Sequence, residues 1–184
     1  MMARMDSVAS RLLISSGGLF DPNFRHTVVL VAQHDADGAL GVVLNRPSDV
    51  TVAEVLPQLA PLVGPDEPLY IGGPVQPQGA VVLADCDHPD FAALPVLGSI
   101  GLLVGELDDA LMGAVRRARV FAGYAGWGPG QLESELARRD WIVEEPTPND
   151  IFCAEPLALW HTLLRRKGGR HALLALMPFD PSTN

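Results

Sequence analysis

Residues 27 to 45, TVVLVAQHDADGALGVVLN, constrain the fold more than any other stretch of the chain. Two runs rich in β-branched residues flank Asp37-Gly38, a dipeptide suited to a tight hairpin turn because both residues tolerate positive φ. The apolar runs are nearly continuous rather than alternating, which predicts strands covered on both faces.

Further along, TVAEVL offers Thr51 as a helix N-cap with Glu54 three residues on, the pattern of a capping box. Pro57 and Pro61 keep that helix short. LYIG at 69–72 and GAVVLA at 79–84 read as strands joined by the turn GGPVQPQ, and DCDHPDFAALPV as a polar loop. SIGLLVG at 99–105 is another strand, followed by a short helix from Leu107 to Ala114 with Asp108 near its start. ARVFAGY at 118–124 is a strand that runs into a helix with Gly128 as N-cap, Pro129 at the first position and Gln131 third. Glu133 and Glu135 early in that helix, and Arg138 and Arg139 late, match its macrodipole. WIVEE is a strand. Pro156 starts a final helix with the stripe Leu157, Trp160, Leu163 and Leu164, ended by Gly168 and Gly169. A last apolar run, HALLALM, precedes a polar tail. Early hairpins and scattered single helices predict an α+β fold: one compact domain with a mixed, mostly antiparallel sheet and several short helices around it. Residues 1–10 read as a disordered tail, 11–178 as the domain and 179–184 as a second tail.

A length of 184 residues fits one domain, and 48% hydrophobic against 19% charged residues makes it globular. The formal charge of −9 repels phosphate backbones and anionic lipid surfaces, so direct nucleic-acid binding is disfavoured. Cys86 and Cys153 have neither C-x-x-C nor zinc-ligand spacing. The apolar stretch Leu12–Ile14 is too short for a signal peptide, and no run is long enough for a membrane helix. These features predict a cytoplasmic protein with reduced thiols and no membrane association.

The most conspicuous candidate site is VFAGYAGWGPGQ at 120–131. A phosphate loop needs a Lys and a hydroxyl among its glycines, and a dinucleotide loop needs G-x-G-x-x-G; neither is present, and no motif calls for a cofactor or metal. What remains is a helix start at Gly128 with free N–H groups, beside the flat surfaces of Tyr124 and Trp127. Against this stands the reading that the glycines supply unusual dihedrals and the aromatics complete the core. Arg46, in Asn45-Arg46-Pro47, suits a bidentate anion clamp or an ion pair with an acidic neighbour. In Cys86-Asp87-His88, the acidic neighbours work against a reactive thiolate. Arg165, Arg166, Lys167, Arg170 and His171 form the one dense basic cluster, as expected at a helix C-terminus. No two adjacent helical patterns joined by a short turn suggest a DNA-reading motif.

LLISSGGLFDPNFRHTVVLVAQHDADGALGVVLNRP, the GGPV turn and GYAGWGPGQLE together resemble the YqgE/AlgH family of bacterial proteins, from about Leu12 to Met177. The resemblance implies a compact α+β domain and brings no agreed catalytic residues; one branch is named as a transcriptional regulator of exopolysaccharide synthesis. Signature positions fall on Asp21 to Phe24, Asn45 to Pro47, Gly72 to Pro74 and the 123–133 segment, while Gly17-Gly18 replaces a proline-bearing turn.

The resulting expectation is a module that binds a small molecule or protein partner and acts indirectly on regulation. Its site would gather Asn45, Arg46, Gly72, Gly73, Pro74, Gly123, Tyr124, Gly126, Trp127, Gly128, Gln131 and Glu133. The alternative is a small hydrolase with His34 or Glu133 as base; direct DNA binding ranks third.

Overall fold

The computed structural model describes residues 6–17, 21–22, 24–103 and 106–176. The chain opens with β1 (Leu12–Ser15), β2 (Val28–Asp35), β3 (Gly38–Val43) and β4 (Pro47–Thr51). Next come α1 (Val52–Val55), a 3-10 turn at Pro57–Leu59, and α2 (Ala60–Val63). β5 (Pro68–Ile71), β6 (Val75–Cys86), β7 (Leu94–Leu97) and β8 (Ile100–Leu103) lead to α3 (Asp109–Ala114) and the long β9 (Val115–Trp127). The last part holds α4 (Gln131–Ala137), β10 (Trp141–Glu144), α5 (Pro148–Ile151), α6 (Leu159–Lys167) and α7 (Arg170–Leu174).

The ten described strands form one sheet in the order β10-β1-β2-β3-β9-β6-β8-β7, with β4 paired to β5 and β5 to β9. Only β5 and β9 run parallel, with Tyr70 opposite Phe121; the fold is α+β with a mostly antiparallel sheet. β9 is the hub. β6 follows one of its edges from Val115 to Tyr124, β5 takes the other at Phe121 and Ala122, and β3 pairs with Ala125 to Trp127.

The hairpin forms where its sequence predicts one, but its two turn residues are Ala36 and Asp37, one position earlier than Asp37-Gly38. β2 and β3 pair from Asp35↔Gly38 to Val29↔Val43, and Gly38 has φ 133°. Neighbouring residues of β2 point to opposite faces. Leu30 packs with Ile14, Trp160 and Leu163 beneath α6; Val29 and Val31 pack with Leu13, Trp127, Leu132 and Trp141 beneath α4. Burial on both sides explains the unbroken apolar runs. Trp160, 1% exposed, donates its indole N–H to the Ser15 carbonyl at 3.0 Å. A third cluster, around Val52, Val82 and Val120, lies near α1 and α3.

The α1 capping box is complete: the Thr51 hydroxyl accepts from Glu54 N–H, and the Glu54 carboxylate accepts from Thr51 N–H at 2.7 Å. Asp108 caps α3 as its position suggests.

Several elements differ from the sequence reading. The supposed loop at 85–96 contains a 3-10 turn and most of β7, because Leu94 and Val96 find apolar partners on the same side as Leu30. HALLALM begins as helix α7, which packs on α6 across Gly168-Gly169, so two adjacent helices do share a short turn. Leu157 is 69% exposed; a 3-10 turn at Pro156–Ala158 rotates it off the stripe and Leu159 is buried instead. α4 starts at Gln131 with Gly130 as N-cap at φ 75°, two residues later than the proline suggested. Residues 7–10 pack against the sheet rather than trailing free: Val8 is 8% exposed and Ser10 N–H donates to the Val31 carbonyl. Residues 1–5 and 179–184 of the expected tails, Gly18, Asn23 and the end of the 99–105 strand lie outside the described residues.

Candidate functional site

Two glycine-bearing segments, 72–74 and 123–126, sit against each other at the centre of the sheet. Gly72 N–H donates to the Ala122 carbonyl at 2.9 Å, and Val43 N–H to the Gly72 carbonyl at 2.9 Å. A Cβ on Gly72 would meet Gly123 O at 2.2 Å, and one on Gly73 would meet the Tyr124 carbonyl at 2.2 Å. Gly73 has φ 156° and Gly123 φ 68°, the latter a conformation that disfavours side chains. These glycines let two backbones touch. They form no phosphate cradle.

Asn45 and Arg46 adjoin this region through the main chain, since Ile71 N–H donates to the Arg46 carbonyl. Their side chains turn elsewhere. Buried Asn45 accepts from Val28 N–H and donates to the His26 carbonyl, both at 2.9 Å, clasping the open end of the hairpin. Arg46 donates to the carbonyls of Pro22 and Arg25; burial lowers its guanidinium's pKa, with the Asp21 charge opposing. His26 rests on Trp160 at 4.3 Å between ring centres, its imidazole pKa lowered by burial and then by the charges of Arg25 and His161.

Tyr124 and Trp127 part ways. Trp127 is 5% exposed, stacked on Phe24 and edge-on to Trp141. Both indole N–H groups donate to the same Glu135 oxygen at 2.8 Å. Trp127 therefore belongs to the core. Tyr124, on the other face of β9, lines a cavity of about 750 Å³. It is lined by Val81 and Val82 of β6, Leu102 and Leu103 of β8, Leu107 and Met112 at α3, and Leu59 after α1. Gln58, Glu106 and Tyr124 supply its polar groups. Most of these residues went unnoticed in the sequence because an apolar lining and a core strand have the same composition.

The start of α4 is self-capped. The Gln131 side chain accepts from Gly128 N–H at 3.1 Å and donates to Glu135 at 3.2 Å, while Ser134 N–H donates to the Gly130 carbonyl. Glu133 faces away from the cavity and meets His34, with 3.1 Å between Oε1 and Nε2. Val8 N–H donates to His34 Nδ1 at 3.0 Å, which fixes the proton on Nε2 and directs it to Glu133. With both ring nitrogens engaged, neutral His34 has no lone pair left to act as a base. Cys86 is fully buried, and burial followed by the Asp85 charge raises its thiol pKa. Among the described residues, no three His, Cys, Asp or Glu side chains gather to hold a metal, and no helix is long and apolar enough to cross a membrane.

The model of the AlgH-like family matches residues 12–172. The chain belongs to the AlgH-like family. A UPF0301 protein of Streptomyces coelicolor is 42% identical over 190 residues, spanning 100% of this chain and 98% of its own. A UPF0301 protein of Mycobacterium tuberculosis is 40% identical over 182 residues, spanning 96% and 90%. A crystal structure of a Corynebacterium diphtheriae protein superposes with a TM-score of 0.81 at 27% identity, covering 96% of this chain and 95% of that one. The solution structure of AlgH from Pseudomonas aeruginosa gives 0.67 at 31% identity, covering 96% and 98%.

Proposed function

We propose that this AlgH-like protein is a small-molecule-binding module whose ligand occupies the cavity beside Tyr124. The observation that carries this reading is the cavity itself, about 750 Å³ and mainly apolar, within the range of drug-sized ligand sites. Its few polar groups suit a ligand that is largely apolar with one or two hydrogen-bonding functions. Any effect on transcription would then be indirect, with occupancy of the cavity changing the surface offered by α3 to a protein partner. A cytoplasmic location agrees with such a role.

The test is thermal unfolding against a panel of neutral apolar compounds. A ligand at a hundred times its dissociation constant should add about 2.7 kcal/mol of stability. Ala80 lines the cavity yet is exposed, so Ala80→Trp should fill the space without opening the core. The midpoint shift should disappear in that variant while the fold persists; a shift of the same size in Ala80→Trp would remove the proposal.

The hydrolase alternative draws on the contact between His34 and Glu133, but that pair already serves a Val8-to-β2-to-α4 tie. Direct DNA binding has less support: Arg166 is held by Asp150, Lys167 by Glu144, and α7 is only five residues long.

A further inference from the structure

A second cavity, about 660 Å³, lies between β10 and the α6–α7 pair, on residues separate from those around Tyr124. Ile142, Trp141 and Leu174 give it apolar walls, and Arg139, Arg170 and His171 bring cationic or ionisable groups to it. Neighbouring cations are neutralised: Arg166 forms a two-pronged pair with Asp150 at 3.0 Å, Lys167 lies 2.9 Å from Glu144, and Arg138 is 2.8 Å from Asp140. Among the described residues, no ion pair or side-chain hydrogen bond reaches Arg139, Arg170 or His171. In a chain of formal charge −9, three such side chains left unmatched around one apolar hollow form a local exception.

Arg139 adds an independent sign. It occupies the residue after the C-cap of α4 with φ 62°, a left-handed position where glycine is the usual choice. Its N–H donates to the Leu136 carbonyl and that of Asp140 to the Glu135 carbonyl, so the backbone holds this conformation firmly. A side chain kept where glycine would be easier points to a role for the guanidinium.

We infer that this cavity binds a small organic anion, with a carboxylate or phosphate head between Arg139 and Arg170 and an apolar body against Ile142 and Leu174. The head would be held by charge-assisted hydrogen bonds, which guanidinium groups make in paired geometry.

The probes are 2-naphthoate and 2-naphthyl phosphate, with neutral 2-naphthamide and inorganic phosphate as controls, measured by calorimetry on the full chain. The anionic naphthyl compounds should bind at least about tenfold tighter than either control, and more weakly as salt is raised. The stronger of the two identifies the preferred head group. Arg139→Gly removes the guanidinium while relaxing the backbone, so it should fold at least as well as the parent and bind at least about tenfold more weakly. Arg170→Ala should lose affinity similarly, whereas Arg165→Ala, outside the cavity, should not. Equal binding of 2-naphthamide, unchanged affinity in Arg139→Gly and Arg170→Ala, or no binding by either anion would overturn the inference. So would binding abolished by Ala80→Trp alone, which would place the probe beside Tyr124.

Discussion

Gly73 and Gly123 approach so closely that a Cβ on Gly123 would lie 2.6 Å from the Gly73 carbonyl oxygen. The contact joins the turn before β6 to the middle of β9. Gly123→Ala meets both a backbone clash and a positive φ, and should cost about 3 kcal/mol or more by urea unfolding. Gly128→Ala is the contrast: nothing lies within 4 Å of its Cβ, and the change should stay within about 0.5 kcal/mol.

Glu135 accepts from the indoles of both Trp127 and Trp141. Glu135→Ala leaves the indoles of two buried tryptophans without their acceptor and should destabilise by about 2–3 kcal/mol. The tryptophan emission spectrum should change with it. Loss of stability with an unaltered spectrum would mean that the indoles keep equivalent partners.

His34 ties the N-terminal segment to α4 through Val8 and Glu133. His34→Ala should cost about 1–3 kcal/mol and make the bond after Arg11 more open to trypsin. Any hydrolytic activity should survive Glu133→Gln; silence in that variant, with the fold intact, would restore the hydrolase reading.

Asp150 gives a defined acid response. Burial pushes its carboxyl's pKa up, but the bonds from Arg166 and Thr147 outweigh this and hold it below the ordinary aspartate value of 3.8. A carboxyl depressed in the folded state contributes stability above its unfolded pKa and loses it as pH falls through the folded one. At pH 7, Asp150→Asn should therefore be less stable by about 1–3 kcal/mol. The difference should shrink as pH falls below 3.8. A gap that is constant with pH would show that the loss is steric.

What was legible in the sequence was local. Asp37-Gly38 marks the hairpin, Thr51 with Glu54 marks the α1 box, and Asp108 marks the α3 cap. Each signal needs only residues a few positions apart, so a linear reading captures it. β7 escaped because a short strand of this kind is held by distant partners, Val96 by the cluster containing Leu30. α5 carries a local signal that the sequence reading passes over, Thr147 with Pro148 and Asp150 forming a capping box.

The candidate site divides along the same line. The sequence by itself determined that 120–131 is a strand running into a helix without the parts of a phosphate loop. Only tertiary structure decided that Tyr124 lines a cavity and Trp127 the core, that Arg46 turns to a loop carbonyl, and that Glu133 meets His34. The physical reason is that strand geometry sends alternate residues to opposite faces. What covers each face comes from elements far away in the chain: α3 and β8 around Tyr124, Phe24 and Trp141 around Trp127.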